Sequence, residues 1–312
     1  MKLISIVTPC YNESENVEEL YSRVKMVMTS ELSYYDHEHI FIDNASTDDT
    51  VLKIKEIAKS DKNVKLIVNS RNYGHMRSPV HGMFQASGDA IISIVADLQD
   101  PPEMIPQFVK KWEEGNDIVL AIKQSSEESG LMFFLRKMYY RTLSKLSEIE
   151  IFQNYTGFGL YNRRVMDSIK QLKDPYPFFR GMVAEVGFKV AKIKYDQPVR
   201  LRGVTKNNFY SLYDIGILGI ISNSKVPLRV AIFTGAFFGI LSFLIGLGYF
   251  FAKLLFWDTM SFGVAPLIIM TSFMFSIMLF FIGMVGEYIG AIYTQVLNRP
   301  LVFEKERVNF DV

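Results

Sequence analysis

Short β-branched apolar runs and longer segments with helical spacing alternate along the first two thirds of the chain. Leu3 to Thr8 predicts a strand, broken by Pro9-Cys10-Tyr11-Asn12-Glu13. Ser14 to Met28 places Val17, Leu20, Val24 and Val27 on one helical face. His39 to Ile42 predicts a second strand, ending in Asp43-Asn44-Ala45-Ser46-Thr47-Asp48. A helix over Asp49 to Ala58 turns Val51, Ile54 and Ile57 inward. Val64 to Val68 predicts a third strand, left through Asn69-Ser70-Arg71-Asn72-Tyr73-Gly74, and Ser78 to Ala86 a helix. The run Ile91 to Ala96, ending at Asp97, reads as a buried strand, followed by a helix over Glu103 to Glu114 and a strand over Asp117 to Ile122. Beyond it the pattern predicts helices over Leu131 to Leu146, Asn162 to Leu172 and Phe178 to Val186. Asn154 to Gly159 reads as a glycine-bearing turn, and Lys189 to Leu201 as a strand. Strands alternating with helices predict a mostly parallel sheet covered on both faces.

The last third changes character. Neither Val230 to Ala252 nor Thr259 to Gly286 contains a charged residue, and each exceeds the roughly 20 residues of a transmembrane helix. One such run could be a buried core helix; two in succession argue against that. Lys225 and Arg229 precede the first run, and Arg299, Lys305 and Arg307 follow the second, whereas the connector carries only Lys253 and Asp258. The positive-inside rule then places both ends of the hairpin in the cytoplasm. Phe209, Leu212, Tyr213, Ile217, Ile220 and Ile221 recur at helical spacing just before the first run, which suits an interfacial helix. Met1 to Thr8 is too short an apolar run for a signal peptide. The expected organisation is a sheet domain over 1–206, a juxtamembrane amphipathic helix over 207–228, a hairpin over 229–290 with spans near 230–252 and 262–286, and a cytoplasmic tail over 291–312.

Charge and composition narrow the chemistry. A net charge of +1 over 312 residues gives no reason to expect nucleic acid. The single cysteine, Cys10, excludes an internal disulfide and a cysteine-based zinc site. The four histidines lack H-E-x-x-H spacing, and His37 and His39 are expected on a loop or strand edge. No G-x-G-x-x-G follows the first strand, so the dinucleotide fingerprint is missing.

Polar residues recur instead at three strand ends: Asn12-Glu13, Asp43-Asn44 and Asp97-Leu98-Gln99-Asp100-Pro101-Pro102-Glu103. Ligands of open α/β sheets sit off the carboxyl ends of strands. Oxygen groups there suit Mg²⁺ or Mn²⁺, and the cation suits a diphosphate. A solvated turn with aspartate as a helix cap is the competing reading of the Asp97 stretch taken alone. In Arg200-Leu201-Arg202-Gly203-Val204-Thr205-Lys206, three cations flank a glycine and a threonine; such a loop gathers phosphate oxygens or anchors to a membrane. Ser125 to Gly130 reads equally as a mobile loop near the pocket or a plain surface loop. Arg136, Lys137, Arg141 and Lys145 make either a solvated face or one that meets anionic headgroups.

Pro9-x-Tyr11-Asn12-Glu13, Ile42-Asp43-x-x-Ser46-x-Asp48, Arg71-Asn72-Tyr73-Gly74, the Asp97–Glu103 run and Gly286-Glu287-Tyr288-Ile289-Gly290 together resemble family 2 GT-A glycosyltransferases. The nearest subgroup is the polyprenyl-phosphate glycosyltransferases, which include dolichyl-phosphate mannose synthases and bactoprenol glucosyltransferases. The resemblance implies an α/β, Rossmann-like GT-A domain followed by an interfacial helix and a two-helix hairpin in the bacterial plasma membrane. It also implies inverting, metal-dependent transfer of a hexose from a nucleotide sugar, by subgroup a UDP-sugar, to polyprenyl phosphate. By the same resemblance Pro9, Tyr11, Glu13, Asp43, Asn44 and Arg71 bind the nucleotide, and Asp97 and Gln99 hold Mg²⁺ or Mn²⁺. Arg200, Arg202 and Lys206 face phosphates, and Asp97, Asp100 and Lys206 serve the chemistry.

Three departures from the pattern matter: Val95 replaces the first acid of Asp-x-Asp, Asn44 replaces a second aspartate, and Thr156-Gly157-Phe158-Gly159 replaces Gly-Asp-Phe-Arg. A phosphate monoester, with its second pKa near ~6, is already an anion and needs no general base. Gly157 therefore favours a phosphate acceptor over a hydroxyl. Other lipid-linked acceptors remain open, as does a catalytically lost nucleotide- or lipid-binding protein. Processive synthases are disfavoured, since neither Trp112 nor Trp257 follows an arginine. Gly235, Gly239, Gly246 and Gly248 can pack helices within or between chains, which leaves a homo-oligomer open.

Overall fold

The computed structural model describes residues 1–124, 152–198, 219, 221, 224–256 and 264–310. Eight strands form one sheet: β1 (Leu3–Cys10), β2 (Asp36–Asp43), β3 (Val64–Asn69), β4 (Ala90–Ser93), β5 (Ile118–Lys123), β6 (Tyr155–Asn162), β7 (Val190–Tyr195) and β8 (Glu304–Val308), in the order β7-β5-β6-β4-β1-β2-β3-β8. β4, β1, β2 and β3 run parallel, as do β5 and β7; β6 and β8 are antiparallel to their neighbours. The helices are α1 (Val17–Ser30), α2 (Thr50–Ser60), α3 (Gly74–Gln85), α4 (Ile105–Glu113), α5 (Arg163–Gln171), α6 (Phe179–Glu185), α7 (Val226–Leu255) and α8 (Val264–Leu297).

Strand alternation splits the core into two layers. Ile4, Ile6, Phe41, Leu66 and Ile92 face α1, α2 and α4, whereas Val7, Ile42, Ile67, Ile91 and Ile118 face the layer of Val80, Met83 and Val165 on α3 and α5. Both faces being buried explains why the strands read as nearly continuous apolar runs.

Residues 154–159 are not a turn: Tyr155 opens β6, which lies between β4 and β5. Of the two glycines that suggested a turn, Gly159 serves close approach, since a Cβ there would collide with the Val119 carbonyl oxygen, and Gly157 adopts φ 110°. His39 is not at an edge. It is buried in β2, inside the sheet, with Nε2 2.9 Å from Thr8 Oγ1 and its ring stacked on Phe41. Burial pushes its pKa down to about 3.

The two apolar helices contain candidate spans Val226–Ala252 and Leu267–Leu297, with none of their apolar windows buried. At 27 and 31 residues they reach about 40 Å or more, enough for a hydrocarbon core of roughly 30 Å, and they make the chain a membrane-associated one. The terminal segment, expected as a tail, instead returns to the sheet: β8 pairs antiparallel with β3, and Ser70 N donates to Phe303 O at 2.8 Å. The expected helices over 131–146 and, apart from residues 219 and 221, over 209–221 lie outside the described residues.

Candidate active site

Three parallel strands, β1, β2 and β4, end on the same sheet edge, and a cavity of about 610 Å³ opens there. Pro9, Tyr11 and Glu13 enter from the end of β1 and Asn44 from the end of β2. Asp97, Gln99 and Asp100 enter from the loop after β4. This is the carboxyl-end crevice expected of an open α/β sheet.

The β1 and β2 loops hold each other through side chains. Asn12 adopts φ 55°, and its N–H donates to Ser46 Oγ (2.8 Å) while its Oδ1 accepts from Thr47 N (2.8 Å). Glu13 N donates to Thr50 Oγ1 (2.9 Å), and Glu13 Oε2 accepts from Asn16 Nδ2 (2.7 Å). Asn44 Oδ1 accepts from Tyr73 N (2.8 Å) and Asn69 Nδ2 (3.1 Å), while its Nδ2 donates to Asn72 Oδ1 (2.9 Å). An amide both donates and accepts; an aspartate here could not donate to Asn72.

Asp43 and Arg71 do not line the cavity. Asp43 is fully buried and accepts from Ser46 N (2.9 Å) and Ser46 Oγ (2.5 Å), which shapes the turn at Ala45, φ 62°. Burial raises its pKa despite these bonds. Arg71 is exposed and stacks its guanidinium over Tyr73, 4.1 Å from the ring centre. Arg200, Arg202 and Lys206 lie outside the described residues.

β4 stops at Ser93, and Leu98 turns through φ 61° to bring the following carboxylates round. Asp97 is half-buried, lines the cavity and accepts from Gln99 N at 3.1 Å. Gln99 Nε2 donates to Pro198 O (3.3 Å). Asp100 is buried behind them; its carboxylate accepts from Val95 N (3.4 Å) and Tyr195 Oη (3.2 Å). Burial first, and the charge of Asp97 second, push its pKa up to about 7.

Among the described residues no three acidic, histidine or cysteine side chains converge as a ready metal cluster. The donor set nevertheless fits a hard cation. Asp97 offers a half-buried carboxylate and Gln99 an amide oxygen, both on the cavity lining. A cation held by so few protein oxygens completes its shell with water and phosphate oxygens.

The rest of the lining includes Thr156 and Gly157, which the motif comparison marked, and Arg180, which it did not. Thr156 and Gly157 come from β6, and Arg180 from α6. Gly157 has φ 110°, its carbonyl accepts from Tyr161 Oη (2.8 Å), and a Cβ there would meet nothing within 4 Å. His75 lines the cavity from α3; burial, then the charge of Arg180, lowers its pKa. One signal for Arg180 was present: a cation in the first turn of a helix opposes the helix dipole and so calls for another reason to be there.

A profile for glycosyl transferase family 2 matches residues 5–170. An uncharacterized glycosyltransferase of Synechocystis sp. is 36% identical over 96% of this chain and 93% of its own length. The glycosyltransferase YkcC of Bacillus subtilis, also uncharacterized, is 37% identical over 95% of this chain and 91% of its own. A prophage-derived bactoprenol glucosyl transferase of Shigella flexneri is 36% identical over 95% of this chain and 96% of its own, so the similarity runs through the apolar hairpin as well as the sheet.

Proposed function

The chain belongs to glycosyl transferase family 2, and from that premise we propose that it moves a hexose from a UDP-sugar to polyprenyl phosphate, undecaprenyl phosphate in a bacterium, at the cytoplasmic face of the plasma membrane. One observation carries the reading. A cavity joining Tyr11, Glu13 and Asn44 to Asp97 and Gln99 belongs to a chain that also carries two membrane-length helices. The name of the Shigella relative, bactoprenol glucosyl transferase, supports the same acceptor class.

The residues divide the work by position. Tyr11, Glu13 and Asn44 receive the nucleoside, with Pro9 shaping the strand end; Asp43 acts from behind by holding the Ser46 turn. Asp97 and Gln99 would hold Mg²⁺ or Mn²⁺, which neutralises charge on the departing diphosphate when bound. Asp100 orders the loop through Val95 N and Tyr195 Oη. An ionised acceptor phosphate oxygen attacks the anomeric carbon, its new bond forming as the bond from that carbon to the diphosphate oxygen breaks. The nucleoside diphosphate leaves and the configuration inverts. No proton has to be removed from the nucleophile, so a glycine at position 157 does not disable the reaction. Proximity and charge supply the rest. Arg200, Arg202 and Lys206 remain assigned to phosphates on the resemblance alone.

The test is transfer to polyprenyl phosphate from a panel of nucleotide sugars, with the glycolipid identified by mass, for the full chain and for Asp97→Asn. The expected outcome is one productive donor, metal-dependent transfer, and a loss of at least about 100-fold in Asp97→Asn. Turnover with no donor would support a binding protein instead; unchanged turnover in Asp97→Asn would remove the metal assignment.

A further inference from the structure

Among the described residues that line the cavity, Arg180 supplies the single Lys or Arg side chain, while Glu13, Asp97 and Asp100 supply the acids. Its helix packs on β6, the fourth strand counted from β2 along the cavity edge. The order β2-β1-β4-β6 puts Asn44, then Tyr11 and Glu13, then Asp97, then Thr156 and Gly157 in sequence across the edge. Neighbouring strands are about 4.8 Å apart, so β6 stands roughly 10 Å from β1. Arg180 is anchored at the β6 end, because its neighbour Phe179 packs edge-on against Tyr161 of β6 with ring centres 5.2 Å apart. Its charge is felt by His75 and by the buried hydroxyls of Tyr155 and Tyr161. A cation is therefore held in the cavity by a helix packed on β6, the strand that also contributes Thr156 and Gly157 to the lining. The Gly157 wall beside it adds no side chain that would repel an anion.

We propose that Arg180 receives the phosphate group of the acceptor and sets its oxygen against the anomeric carbon, an inference that rests on the transferase reading above. A guanidinium suits this duty because it pairs two phosphate oxygens through a planar fork and stays charged at every working pH. It also screens the incoming anion from the carboxylates of Asp97 and Asp100, a task this reaction imposes and a hydroxyl acceptor would not. The donor diphosphate is the other phosphate within the cavity, and the experiment separates the two.

The full chain in detergent is assayed as wild type, Arg180→Gln and Arg180→Lys, with polyprenyl phosphate and UDP-glucose, or with whichever donor the panel selects. UDP binding is measured alongside by calorimetry. For Arg180→Gln we expect KM for polyprenyl phosphate to rise at least ten-fold, with the KM for donor and the Kd for UDP within two-fold of wild type. Arg180→Lys should recover part of the acceptor KM. A general structural role would move UDP binding too. A matching loss of UDP affinity would assign Arg180 to the donor diphosphate and overturn the inference, and so would an unchanged acceptor KM. Should the wild type turn over no donor, the transferase reading fails by itself. Direct binding of polyprenyl phosphate to wild type and Arg180→Gln would then still decide whether Arg180 holds that phosphate: equal affinities would refute it.

Discussion

At the residue scale the buried polar groups are more informative than the apolar ones. His39 sits in the middle of a central strand as a neutral imidazole, with no hydrogen-bond partner for Nδ1 among the described residues. Its folded pKa, about 3, lies below the roughly 6.5 of an unfolded histidine. The unfolded chain therefore binds one more proton between those values, and acid favours unfolding. The neutral histidine's contribution is complete above about pH 6.5 and is lost as pH falls toward 3, by about 1.4 kcal/mol per pH unit within that window. His39→Gln keeps a donor and an acceptor for Thr8 and removes the titration. Thermal melts of the detergent-solubilised protein between pH 7 and pH 4.5 should fall more steeply for wild type than for this variant; parallel curves would show that His39 does not titrate on unfolding. Asp43 teaches a related lesson. A carboxylate at a strand end reads as a ligand from its position, and here each of its oxygens also accepts from Ser46 and so holds the turn.

At the element scale the decisive feature is β8. It covers the edge of β3 after the chain has passed through both apolar helices, and it brings Glu304 to His81 Nε2 (2.5 Å) and to Arg307. Asn309 Nδ2 donates to Ala58 O (2.7 Å) and Val64 O (2.8 Å), tying the end of the chain to α2 and β3. Near the hairpin exit, Arg77 Nε donates to Pro175 O (3.0 Å) and Gln295 Nε2 to Asp174 Oδ1 (3.1 Å). The α3 helix that these contacts hold also lines the cavity through His75 and Met76. Glu304→Ala should cost about 1 kcal/mol, because His81 and Arg307 lose a half-buried carboxylate partner. Ending the chain at Asn298 should cost far more and promote aggregation, since it bares the backbone of β3. Melting temperature and light scattering measure both effects; a truncated chain as stable as wild type would mean that β8 contributes nothing to the sheet.

At the scale of the whole molecule, the return of β8 constrains how the hairpin can sit. The sheet precedes α7 and β8 of the same sheet follows α8, so two crossings by α7 and α8 would leave both hairpin ends on the sheet's side of a bilayer. Cys10 is buried, which makes single-cysteine labelling practicable. Phe256→Cys, at the exposed far end of α7, should react with a membrane-impermeant thiol reagent from outside intact cells, whereas Lys305→Cys should react only in inverted vesicles. Both positions labelling from one side would exclude the hairpin.

The sequence by itself determined the alternating strands and helices, the chemistry clustered at strand ends and the two apolar runs. Each of these is local: periodicity, β-branching and uninterrupted hydrophobicity are written within short windows, and Tyr11, Glu13, Asn44, Asp97 and Gln99 stand where strands must stop. Tertiary structure decided what depends on neighbours distant along the chain. It turned the glycine-rich 154–159 stretch into a strand between β4 and β5, and sank His39 into the sheet. It withdrew Asp43 from the cavity, brought Arg180 into it, and made the last residues an edge strand. In each case the deciding interaction joins segments that no short window contains, so only closure of the fold sets which side chains meet.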